Sequence, residues 1–122
     1  MSVNKVILLG NVGRDPEVRY VAPDQPQASF TLATNERAFT NAHGVQVPER
    51  TEWHNIVVWG KNASIVERYV RKGSQLYIEG HLRTRMWEDR NQIKRYVTEV
   101  YADVIEFVGR PRTDGENSPQ QQ

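Results

Sequence analysis

The sequence predicts an all-β domain, a five-stranded Greek-key barrel with one short helix between its third and fourth strands. Three observations carry this. Five stretches show two-residue alternation or enrichment in β-branched and aromatic residues. A single stretch, Asn62 to Arg71, instead repeats its apolar residues Ile65, Val66, Tyr69 and Val70 at helical spacing. Gly10 and Gly13 lie in a long first strand, where a small barrel needs a bend.

The first strand runs from Val3 to Val12 around Val6-Ile7-Leu8-Leu9. Gly10-Asn11-Val12-Gly13 also has the form of a GxxG backbone clamp, but that clamp sits between helices and none is evident here. Asp15-Pro16 and Ala22-Pro23-Asp24 punctuate the chain toward the second strand. Gln27 to Asn35 alternates, with Ala28, Phe30, Leu32 and Thr34 on the face suited to a core. Glu36 to Arg50 is polar and reads as a long hairpin loop without firm structure.

The third strand, Thr51 to Trp59, carries Trp53, Asn55, Val57 and Trp59 on one face and His54, Ile56 and Val58 on the other. Two flat rings beside an amide, with Lys61 following, suit a platform on which bases stack whatever their sequence. A strand buried on both faces, with Trp as filling, fits this stretch equally well. In the helix, Asn62 is placed to cap the start, Arg71 and Lys72 suit the negative end, and Gly73 suits a left-handed cap.

The fourth strand, Gln75 to Trp87, sets a core face of Leu76, Ile78, Gly80, Leu82, Thr84 and Met86 against a face bearing Arg83, Arg85 and Trp87. Glu88 to Gln92 is a turn. The fifth strand, Ile93 to Phe107, places Tyr96, Thr98, Val100, Ala102 and Val104 together. From Gly109 the chain lacks periodicity and core residues and is expected to be a disordered tail, leaving 1–108 as the folded domain. Three strands, a helix and two strands is the order of the OB-fold, which binds oligonucleotides or oligosaccharides.

Composition narrows the function. The 122 residues suit one domain with a modest core. No run of about 18 apolar residues suggests a membrane span, and Met1 to Lys5 resembles neither a secretory signal nor a transit peptide. The chain has no cysteine, which fits a reducing compartment and excludes disulfides and thiolate metal sites. The net charge of +1 hides an asymmetry: residues 61–100 carry nine Lys/Arg against five Asp/Glu, a basic half that suits nucleic acid or a solvated charged face. His43, His54 and His81 lie in three different elements, and there is no P-loop or Gly-x-Ser-x-Gly. The expectation is a binding protein without catalytic residues, cofactor or metal, with a protein-interaction OB module as the alternative.

Several stretches resemble bacterial single-stranded DNA-binding protein: Val3-Asn4-Lys5-Val6-Ile7-Leu8-Leu9-Gly10-Asn11, Asp15-Pro16-Glu17-Val18-Arg19-Tyr20, Thr31-Leu32-Ala33-Thr34, Thr51-Glu52-Trp53-His54, Arg71-Lys72-Gly73-Ser74-Gln75 and Ile78-Glu79-Gly80-His81-Leu82-Arg83-Thr84-Arg85. The resemblance spans Val3 to Val108. It implies an OB-fold that assembles as a homotetramer in the bacterial cytoplasm, at the nucleoid, and wraps single-stranded DNA in replication, recombination and repair. Trp53, Trp59 and Trp87 match stacking positions. Lys61 and Lys72 match basic positions near the DNA path, to which Arg83, Arg85 and Asn55 are added from their strand faces. His54 matches a histidine of subunit assembly. The chain departs from the family twice. Phe39 stands near a position where many members carry tryptophan and is the candidate substitute. The acidic tip through which the family recruits replication and repair proteins has no counterpart here, where only Asp114 and Glu116 follow Gly109, so those partners are expected only if the natural chain carries such a tip.

Overall fold

The computed structural model describes residues 1–109; the expected tail lies outside the described residues, save Gly109. Strand β1 spans Val6–Val12, β2 Glu17–Ala22, β3 Gln25–Glu36, β4 Phe39–Thr40, β5 Gln46–Val47 and β6 Arg50–Trp59. Helix α1 spans Lys61–Tyr69, and β7 (Gln75–Glu88) and β8 (Lys94–Phe107) complete the chain.

The architecture is an OB-fold. Strand β1 pairs antiparallel with β7 from Val6 to Asn11 and with β3 at Asn11 and Val12. β7 pairs with β8, β8 runs parallel to β6 at Ile56 and Val57, and β6 returns to β3. The ladder thus comes back to its starting strand. The switch of β1 from one partner to the other needs Gly10: a Cβ there would lie 2.2 Å from the Ala33 carbonyl oxygen.

Inside lie Val12, Ala28, Phe30, Leu32, Ile56, Val58, Leu76, Ile78 and Val100. The helix closes one end with Ala63, Val66 and Val70, all fully buried. Burying one apolar side chain of this size contributes about 1.5–3 kcal/mol, so this cluster carries the fold.

Several expectations change in detail. Glu17–Ala22, read as a punctuated connection, is an edge strand paired with β3. Its alternation is hard to see because only Val18 and Ala22 are half-buried. The loop 36–50 has structure of its own: β4 and β5 pair Phe39 with Val47 and Thr40 with Gln46. Asn41 Oδ1 accepts the His43 and Val45 amides and tightens the turn between them.

Asn62 does not cap the helix. The residue before α1 is Gly60 at φ 67°, with no side-chain cap, and Asn62 Nδ2 donates to the Asp103 carbonyl at 3.4 Å. Gly73 is left-handed (φ 91°) but does not cap the helix, which ends on extended Val70. It turns the chain so that its amide bonds the Val12 carbonyl at 2.8 Å. Arg71 does satisfy the helix end, donating to the Glu67 and Val70 carbonyls at 3.1 and 2.7 Å.

The largest correction concerns the β7–β8 pair. Leu76, Ile78 and Gly80 are buried as expected, whereas Leu82, Thr84 and Met86 on the same face are exposed. Beyond His81 the two strands leave the barrel as an arm that turns at Asp89. On β8 the core face also switches. Glu79 pairs with Val104 and Gly80 with Ala102, so Asp103 is an extra residue. One extra residue reverses the alternation, and Ile105 and Phe107, not Val104, pack on the core. Gly80 permits this bulge, since a Cβ there would lie 2.1 Å from the Tyr101 carbonyl oxygen.

Candidate nucleic-acid interface

The pairing register sets one continuous outer face. On β6 it carries Trp53, Asn55, Val57 and Trp59, opposite Ala33, Thr31, Ser29 and Gln27 of β3. Val57 lies beside Tyr101 of β8, and β8 presents Tyr101, Glu99, Val97 and Arg95 opposite His81, Arg83, Arg85 and Trp87 of β7. Four strands therefore bring together residues that stand more than 50 positions apart.

The tryptophans are not core filling. Trp53, Trp59 and Trp87 keep 57%, 43% and 46% of their surface exposed. The alternative left open by the third strand is thereby decided, because a core Trp would bury nearly all of its rings. Trp53 and Trp59, six residues apart, stand about 20 Å from each other along β6. The Trp53 ring has a defined seat: a Cβ on Gly13 would lie 2.4 Å from its Cζ3 and 2.8 Å from Thr31 Oγ1. Gly13 is thus the floor under the indole.

Between these rings runs a shallow groove lined by Arg14, Asp15, Ser29, Thr31, Asn55, Val57, Val97 and Glu99, among others. Asn55 lies in it with its side chain exposed, as its strand face predicts. Lys61 is exposed at the start of α1, two residues beyond Trp59. Lys72 is exposed on the other side, where its amide bonds Asp15 Oδ1 at 2.8 Å, next to Arg14 in the sequence. Trp87, near the tip of the arm, is in register with Arg95, whose Nε donates to Asp89 Oδ2 at 2.9 Å.

The two arginines of the arm differ. Arg83 Cζ stands 5.0 Å from the centre of the Tyr101 ring, a cation–π contact that leaves its charge facing outward. Arg85 is held by Glu99: Nε donates to Oε1 at 3.1 Å and Nη2 to Oε2 at 3.3 Å. These bonds hold the guanidinium's pKa above its ordinary value. Phe39 is 55% exposed on the β4–β5 ribbon, on the hairpin that carries Trp53 but outside the groove. His54 is on the opposite face, with Nε2 2.9 Å from Thr34 Oγ1. Among the described residues no three His, Cys, Asp or Glu side chains form a group that could hold a metal ion.

Sequence reading missed Gly13, Arg14, Thr31, Glu99 and Tyr101. The signal for Glu99 and Tyr101 was present, since they alternate with Val97 on β8. What one strand does not show is that Arg85 of β7 pairs with Glu99 and Arg83 stacks on Tyr101.

The family described as single-strand binding protein matches this chain over residues 3–108. A single-stranded DNA-binding protein of Bacteroides thetaiotaomicron is 50% identical over 121 residues, 98% of this chain and 75% of that protein. Among solved structures, a Plasmodium falciparum SSB complex with ssDNA superposes with a TM-score of 0.80 and 32% identity, covering 88% of this chain and 97% of that one.

Proposed function

The chain belongs to the single-strand binding protein family, and from that premise we propose that it binds single-stranded DNA without reading its sequence, wrapping and protecting it in replication, recombination and repair. What supports this is that three half-exposed tryptophans share one outer face with Asn55 and Arg83, and that Lys61 follows Trp59 by two residues. Bases stack on the rings, each worth about 1–3 kcal/mol, and any base offers a π-face. Lysines at the rim neutralise phosphates and release counterions. No bond is made or broken in this role, so no catalytic residue is assigned. A short thymidine homopolymer tests the reading: it should quench the tryptophan fluorescence, and the quenching should weaken as salt rises. Unchanged fluorescence at low salt overturns it.

Assembly as a homotetramer accompanies this function. It is supported by the exposed apolar residues Ile7 and Leu9 on the outward face of β1, 59% and 53% exposed, which a second copy can cover. His54, off the stacking face, belongs to assembly, and light scattering of His54→Tyr at low protein concentration should find dissociation. The protein acts in the bacterial cytoplasm at the nucleoid. Among the described residues no helix is long and apolar enough to cross a membrane. Replication and repair proteins are partners through an acidic C-terminal tip, where the natural chain carries one.

A further inference from the structure

Glu99 is the one charged residue buried among the described residues, with 8% of its surface exposed. Its position is unexpected for a DNA-binding protein. It borders the groove between Asn55, Thr31 and Val97, in the middle of the face that a polyanion would cover. A buried carboxylate there repels phosphate unless it is neutralised, and Arg85 neutralises it with a two-toothed contact. Arg85 in turn is 55% exposed at its side chain, so its fork is fixed from below and open above. Two of its five N–H donors are used, and three remain for another partner.

We propose that Glu99 is a positioning residue of the DNA-binding face: its carboxylate clamps the Arg85 guanidinium against the sheet and cancels its charge, so that bases rather than phosphates occupy the centre of the groove. This rests on the single-stranded DNA reading above. Two consequences follow from the geometry. The clamped guanidinium is a rigid plane with outward donors, held without loss of side-chain freedom on binding, and suits the acceptor edges of bases. The pair is neutral, so Arg85 releases no counterion. Phosphates are then left to the rim cations, Lys61, Lys72 and Arg83, and the strand lies with its bases on Trp53 and Asn55.

Salt titrations of thymidine-homopolymer binding test this. Freeing the guanidinium in Glu99→Gln, which keeps shape and an acceptor, should add one phosphate contact. The slope of log K against log[salt] should steepen by about 0.7, with tighter binding at low salt. The double variant Glu99→Gln/Arg85→Gln, neutral like the native pair, should keep the wild-type slope, and it carries the test if the single variant fails to fold. A slope unchanged in Glu99→Gln with a lowered melting temperature would make Glu99 merely structural and overturn the proposal. So would a slope shallower by about 0.7 in the double variant, since Arg85 would then be a phosphate contact in the native protein. In both cases wild-type binding stands and the functional reading survives. A wild-type protein that does not bind the oligomer overturns both.

Discussion

The two halves of the β7–β8 ribbon share a sequence pattern and differ in fate. In the half inside the barrel, Leu76 and Ile78 are fully buried and pair with Phe107 and Ile105. In the arm, Leu82 and Met86 continue the same alternation on the same face, yet they are 48% and 51% exposed. Alternation reports which way a side chain points; burial also needs something to cover it. Barrel strands β1, β3 and β6 cover the first half. Among the described residues nothing buries Leu82, Thr84 or Met86, so that face of the arm is open, while the opposite face continues the outer surface of the barrel as far as Trp87.

The largest expected effect breaks this contrast at its buried end. Ile78→Ala should cost about 2–5 kcal/mol of folding stability, the range for emptying a packed core site. Met86→Ala on the arm should stay within about 0.5 kcal/mol, as for surface substitutions. Denaturant unfolding of both variants measures the difference. Equal losses would mean that the arm is packed in the folded protein.

The tryptophans divide the same two regions. Trp53 stands on the barrel wall over Gly13, and Trp87 stands on the arm. Truncation of either to Ala should weaken thymidine-oligomer binding by about 1–3 kcal/mol with the melting temperature near wild type. Trp53→Ala should lose more, because its ring is seated over Gly13 before DNA arrives, which lowers the ordering cost of binding. A greater loss at Trp87 would place the main stacking site on the arm.

The two glycines of the first strand sharpen the contrast between site and core. Gly13→Ala pushes on the Trp53 ring, a movable side chain, and should lower affinity several-fold with little change in melting temperature. Gly10→Ala meets the backbone of Ala33 and should cost stability, about 1–3 kcal/mol as overpacking does, while leaving the affinity of the folded fraction intact. Parallel melting and binding curves on the two variants separate seat from bend.

These comparisons also mark what a sequence can carry. The five main strands, the helix and the outward face of β6 that carries Trp53 and Trp59 were legible because local alternation and turn residues specify them. Strand β2 was hidden because an edge strand with half-buried Val18 has almost no alternation to display. The core face of β8 was misjudged past Asp103, since a bulge is a relation between two strands and leaves no mark in one. Glu99 was invisible for a related reason: a Glu in a basic, polar stretch reads as solvated, and only the pairing of β7 with β8 places Arg85 above it. Trp53 was found, but its seat was not, because Gly13 lies 40 positions away and reads as a bend.

The smallest expected effect lies at the arm's tip. Asp89 accepts hydrogen bonds from the Ile93 and Asn91 amides and from Arg95, which lower its pKa below the ordinary 3.8. Because the folded value is the lower one, the carboxylate's contribution is fully present above the unfolded value and is lost as pH falls through the folded value. Between neutrality and about pH 5 the turn should therefore be insensitive to acid. Further down, below 3.8, the Asn91 and Ile93 amide resonances should begin to broaden or shift toward a loosened turn, ahead of any change at Ile78 in the core. The turn is local and outside the barrel, so the melting temperature should not register this step on its own. A transition of those amides centred above 3.8 would mean that another group holds the tip, and that the arm's order does not depend on the ionised Asp89.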